Sequence, residues 1–235
     1  MSAPALALSF FDLAHDIHGT ARSGATILFE GRRPIALPEG PSIEPSGEGW
    51  KVGLPGQIAL TLDPVSDAVE LGGMSARVVR ARGEASGREV DGPGALWETK
   101  VAPRWDELDT LRTISALVDD RHALLAVARR PRGAVGHGRE LIRAKLIDDD
   151  STLEVEDARI STVYDSAHRQ QSAGLELWLP GEEYPRRGSG QVIAGTSLEL
   201  ESVRVHAAVF RWRLDGREGI GAYELMLRAE PPAAA

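Results

Sequence analysis

Residues 202–228, SVRVHAAVFRWRLDGREGIGAYELMLR, decide how the chain is read. Two runs rich in strand-forming residues are joined by Asp215-Gly216, and a DG step between alternating apolar runs is the strongest short-range hairpin signal. His206, Ala208, Phe210, Trp212 and Leu214 share one face of the first strand; Tyr223, Leu225 and Leu227 share one face of the second. With a DG or a wider DGRE loop, Trp212 falls opposite Gly219 or Gly221, and an aromatic ring over a neighbouring strand's glycine pins sheet register.

The same pattern runs through the rest of the chain. LALSFF, residues 17–30, PIAL, WKVGL, IALTL, ARVVRAR and ALWETKV are strand candidates in the first half, with an exposed loop expected over PEGPSIEPSGEG and a turn at Gly92-Pro93-Gly94. Residues 105–118 fit either a helical stripe or a strand turning at Asp119-Asp120-Arg121 into HALLAVARR; the hairpin is the favoured reading. After it come GRELIRAKLI, TLEVEDARISTVYD, AGLELWL and QVIAGTSLEL, with GSG at 188–190 read as a loop. About eight strands joined by tight turns from Thr110 onward suit an up-and-down barrel or a curled sheet.

The expectation is an all-β protein of two consecutive antiparallel up-and-down units, residues 1–104 and 105–235. His18-Gly19 and His137-Gly138 lie 119 positions apart, and the same offset sets Ala25 on Ala144, Ile27 on Leu146 and Leu28 on Ile147, a short internal match. The HG-containing strands, HGRELIRAKL and RWRLDGREGIGAYEL resemble the tandem calycin-like, lipocalin-related proteins that include carotenoid hydratases and other cyclase-like or pericyclic enzymes of secondary metabolism. The resemblance implies a hydrophobic pocket inside a barrel-like sheet. No catalytic residue carries over from it.

Composition narrows the function classes. With 235 residues, the chain can remove roughly 70% of its unfolded surface from water. A net charge of −8 without a basic stripe argues against nucleic-acid or anionic-membrane partners. There are no cysteines, so thiolate chemistry and disulfides are excluded. The N-terminus has no basic n-region and no run approaches a membrane span, so a cytoplasmic setting is expected. G-x-S-x-G, G-x-G-x-x-G and Walker patterns are missing, and no cofactor is implied.

Candidate chemistry comes from strand parity. Glu140 shares a face with Ile142, Ala144 and Leu146; among aliphatic groups the charged carboxylate is disfavoured, as a general acid near neutrality requires. The alternative is a strand-end carboxylate reaching solvent or an arginine. His206 on its apolar face is an acid–base candidate or a hydrogen-bonded core ring. Tyr164 is either a donor into a cavity or filler. Glu224, between Ala222 and Met226, poses the same question, with Arg211 and Arg228 as available partners. Ile142, Phe210, Trp212 and Tyr223 are the expected ligand-lining side chains. His15 and His18 point to opposite sides of a strand, so no metal site is expected. The function expected is enclosure of a small hydrophobic or amphipathic, isoprenoid- or polyketide-like molecule. Proton-transfer chemistry (hydration, isomerisation or cyclisation) would use Glu140 with His206 or Tyr164. The rivals are a ligand carrier or sensor and a protein-interaction module, and exposed edges leave room for a homodimer.

Overall fold

The structure, a computed structural model, describes residues 5–134, 139–149, 151–200 and 203–228. Strands make up nearly all of the regular structure there, and no helix in these residues is long and apolar enough to cross a membrane. The first sheet holds β1 (Ala5–Asp12), β2 (Ile17–Arg22), β3 (Ala25–Glu30), β4 (Arg33–Leu37) and β5 (Ser42–Ser46). It continues with β6 (Gly49–Leu54), β7 (Ile58–Pro64), β8 (Val69–Glu70), β9 (Met74–Ala85) and β10 (Arg88–Thr99). The second holds β11 (Leu108–Leu117), β12 (His122–Pro131), β13 (Leu141–Asp148), β14 (Ser151–Glu154) and β15 (Asp157–Tyr164). Its remaining strands are β16 (Gln170–Trp178), β17 (Arg186–Leu200), β18 (Val203–Leu214) and β19 (Arg217–Arg228).

Strand order is β4-β3-β2-β1-β10-β9-β7-β6-β5 in one sheet, with β8 beside β9, and β14-β13-β12-β11-β19-β18-β17-β16-β15 in the other. In each the first strand lies against the last, so an antiparallel meander returns on itself and is left open at one seam, between β4 and β5 or between β14 and β15. This is the curled, up-and-down arrangement of calycin-like units, twice over.

Burial follows parity. Leu8, Phe10, Leu28, Leu62, Val79 and Leu96 form a core contributed by the first sheet alone. Ile114, Leu124, Leu146, Phe210, Trp212 and Tyr223 belong to a core contributed by the second alone. A sheet that buries one face against itself has to curl around that face. The opposite faces meet in a third core, where Phe11, Phe29 and Trp97 of the first sheet join Leu125, Val205 and Val209 of the second.

The terminal hairpin closes on the two-residue turn, Leu214 facing Arg217, with Asp215 at φ 46° and Gly216 at φ 83°, both in the left-handed region that a DG turn supplies. Trp212 faces Gly219 across that hairpin and Gly190 on its other side. A Cβ on Gly190 would come within 2.6 Å of the Trp212 ring, so the ring lies on that glycine. Gly188 to Gly190 is therefore strand, part of the 15-residue β17, and not a loop. Gly92-Pro93-Gly94 likewise lies within β10, paired with β9 and, through Gly94, with β1; a Cβ on Gly92 would collide with the Phe11 carbonyl. The turn falls instead at Ser86-Gly87, both at positive φ. The supposed loop at 38–49 contains β5, an edge strand, the position where Pro45 is tolerated. Residues 108–117 are strand, as the hairpin reading requires.

The 119-residue match places the third strand of one sheet on the third of the other. Ile27, however, lies in the shared core, whereas Leu146 lies in the second sheet's own core. A shift of one residue exchanges the two faces, so that register does not superpose equivalent positions. His137 and Gly138 lie outside the described residues.

Candidate functional site

Parity turns Arg112, Ile114 and Ala116 of β11 toward the interior of the second sheet, and Ala128, Ala126 and Leu124 of β12 lie opposite them. Arg112 is 2% exposed, and β19 sets Leu225 and Tyr223 beside it on the other flank. Its guanidinium grips both carboxylate oxygens of Glu140, with Nε to Oε1 at 3.0 Å. Nη1 donates to Thr162 Oγ1 at 3.2 Å and to the Tyr223 hydroxyl at 2.8 Å, and those two hydroxyls lie 2.7 Å apart. Side-chain exposure of Glu140 is 3%, so charge, hydroxyls and guanidinium form one closed network. Burial holds the Tyr223 hydroxyl proton above its usual range, against the opposing pull of Arg112.

Glu140 points inward just before β13, and of the two readings it is the strand-end carboxylate paired with an arginine that stands there, not the isolated carboxyl of a general acid. An arginine on the same interior face neutralises it. The sequence signal for Arg112 was present: a cation in phase with Ile114 and Ala116.

Glu140 lines two cavities. One, of about 970 Å³, follows the seam, with Ile142 of β13, Ile160 and Thr162 of β15, Leu175 of β16 and Gly188 of β17 on its walls together with the charged side chains of Asp157, Arg159, Glu176 and Arg187. The other, of about 270 Å³, is a mouth where Thr110, Arg130, Tyr164 and His168 surround Arg112, with Leu225 and Leu227 as its apolar side. Of the residues picked from sequence, Glu140, Ile142 and Tyr164 thus reach these cavities. Phe210, Trp212 and Tyr223 are wholly buried and line neither; Phe210 stacks on Trp212 at 5.1 Å and tilts against Tyr223 at 5.5 Å, so the expected pocket wall is a packed floor.

His206 is one cross-strand step from Leu225. Its Nδ1 is 2.7 Å from Ser197 Oγ, its Nε2 is buried without a partner, and burial is the chief cause of a pKa held below the usual value. Gln170 donates to the backbone oxygens of His206 and Tyr223, fastening β16 across this end.

Glu224 belongs elsewhere. It faces the first sheet, where Thr20 and Arg22 of β2 bind its two oxygens, and Arg22 Nη1 also meets Met226 Sδ at 3.1 Å. Neither Arg211 nor Arg228 is its partner. His15 holds Asp12 at the β1–β2 turn while His18 is buried beside Phe11, so the two imidazoles do not converge. His122, Asp148 and Asp149 bring potential ligand atoms within 4.8 Å of one another, yet Arg186 pairs with Asp148 and Arg121 with Asp149.

No family model matches the chain, and no curated protein matches it. Among solved structures, it is similar to a protein provisionally designated AttH from Nitrosomonas europaea, at 12% identity and a TM-score of 0.65, over 94% of this chain and 91% of that one. A protein of unknown function of the DUF3598 family from Nostoc punctiforme aligns at 12% identity over 97% of this chain and 96% of that one, with a TM-score of 0.17. At such identity the first likeness concerns the fold, and it extends over both curled sheets.

Proposed function

We propose that the second sheet holds a small amphipathic molecule, isoprenoid- or polyketide-like, with its apolar part along the seam and its polar part in the mouth. The observation that carries this reading is the buried network of Arg112, Glu140, Thr162 and Tyr223 placed between two adjoining cavities. A pocket with apolar walls and a few convergent polar groups is the usual form of a small-molecule site. Removing an ion pair from water is costly, and apolar residues of the same volume often serve stability as well or better. Retention of this pair beside open space is in keeping with a role toward a ligand.

Binding without turnover is the first reading, because Arg112 already neutralises the one carboxylate in the network. A catalytic reading, of the kind implied by the resemblance to carotenoid hydratases, has less support, since His206, buried with Nε2 unpartnered, lines neither cavity. Native mass spectrometry of the purified protein tests the binding reading. A bound species of a few hundred daltons, lost on denaturation and diminished by Ile142→Trp, is expected. Ligand-free protein whose melting temperature is unmoved by a panel of amphipathic molecules would overturn it.

A further inference from the structure

Four of the side chains at the mouth, those of Thr110, Arg130, Tyr164 and His168, are hydrogen-bond donors without a hydrogen bond or ion pair among the described residues. Arg112 and Glu140 at the same opening are engaged with each other. Arg130 lies directly opposite Thr110 across β11 and β12, on the inward parity of Ala126 and Ala128, and its Nε is buried with no acceptor. A buried donor left without an acceptor is unfavourable, and here it belongs to a cation. Each of the four side chains can donate a proton in a hydrogen bond. Apolar contact is supplied on one side only, by Leu225 and Leu227.

With Glu140 taken up by Arg112, these four side chains have no negatively charged acceptor among the described residues. A guanidinium presents two parallel N–H bonds that match a carboxylate, and hydroxyls and an imidazole complete its remaining lone pairs. Within about 270 Å³ there is room for such a head group and the start of its chain, while Glu140, shared with the seam cavity, marks where the chain continues past Ile142.

We propose that Arg130, with Thr110, Tyr164 and His168, is the binding site for the carboxylate of an amphipathic acid. The inference rests on the ligand-binding reading of the second sheet and adds the chemical class of the ligand. Isothermal titration of the full chain with decanoate, decanol and decyl phosphate separates the two. Decanoate is expected to bind more tightly than decanol. Arg130→Gln should weaken decanoate by about ten- to hundredfold, the usual weight of a charge-assisted hydrogen bond, and leave decanol unchanged. Arg130→Lys, which keeps the charge without the fork, should fall between, and Arg132→Gln, at an exposed neighbour, should behave as the parent protein. Equal affinity of Arg130→Gln and the parent for decanoate, in protein with an unchanged circular dichroism spectrum, overturns the anchor while leaving the binding reading standing. Preference for decyl phosphate overturns the carboxylate assignment. Failure of all three probes to bind removes the underlying reading and this one with it.

Discussion

Among the described residues two arginine–glutamate pairs are buried, and they differ in what they join. Arg112 and Glu140 both come from the second sheet, at 2% and 3% side-chain exposure, and both carboxylate oxygens meet one guanidinium. Arg22 and Glu224 come one from each sheet, at 19% and 9%, and Glu224 divides its oxygens between Thr20 and Arg22, with Thr113 a further 3.5 Å neighbour. The same ion-pair chemistry thus serves the interior of one curled sheet in the first case and the seating of two sheets in the second. Strand parity alone separates them: Glu224 lies one residue from Tyr223, which points to the other side.

The first pair is the more sensitive to disruption. Arg112→Ala strands a buried carboxylate and removes a partner from Thr162 and Tyr223, and should cost about 3–5 kcal/mol in denaturant unfolding. Glu224→Ala leaves Arg22 with some access to water, so about 3 kcal/mol is expected, at the lower end of the range for breaking a buried pair. Its signature should differ in kind. Weakening the contact between sheets predicts a broadened or divided calorimetric transition, whereas Arg112→Ala should lower a single one. Equal costs and equal shapes for the two variants would abolish the distinction. Tyr223→Phe sharpens it further: the ring packing against Phe210 stays, the hydroxyl bonds to Arg112 and Thr162 go, and about 1–1.5 kcal/mol should be lost.

The contrast also explains what could be read from the chain. Local signals were sufficient for the hairpins: Asp215-Gly216 at positive φ, Asp119-Asp120-Arg121 between β11 and β12, and the alternation of Ile58, Leu60 and Leu62. Glycines misled where their purpose was non-local. Gly92, Gly188 and Gly190 look like turn residues in sequence, yet each is in a strand because a Phe11 carbonyl, a Leu214 methyl or a Trp212 ring lies where a side chain would be. Parity placed Glu140 on the inner face, but its partner lies 28 residues away on a strand two places over, and that of Glu224 lies about two hundred residues away in the other sheet. Pairing distances of that length leave no periodicity to detect. The in-phase cations Arg112 and Arg130 were the accessible clue, since charge on an apolar face requires a partner or a ligand.

A smaller effect distinguishes the shared core from the second sheet's own core through their histidines. His18 lies in the contact between sheets with neither ring nitrogen bonded, and His206 lies inside the second sheet with only Nδ1 bonded. Burial depresses both from the ordinary value of 6.5; at His206 Arg204 and Arg169 lower it further and Glu199 and Asp165 partly counter, as Asp16 and Asp12 do at His18. In the unfolded chain each imidazole takes up a proton near pH 6.5 that the native state resists, so the unfolded state binds more protons and stability falls as pH drops below that value. His15 acts in the opposite sense, since its hydrogen bond to Asp12 raises its pKa; the stability it adds is present at acid pH and lost as pH rises. The aspartates with depressed pKa, Asp12, Asp91, Asp119 and Asp165, act below their ordinary 3.8 and leave the window from 6.5 to 5 to the histidines. Unfolding free energy measured across that window should decline, and His18→Phe, which suits the apolar neighbourhood of Phe11, and His206→Asn should each flatten the decline, because each removes an imidazole that the folded state keeps neutral. A slope that neither substitution changes would mean that the two rings take up protons in the folded protein as freely as in the unfolded one.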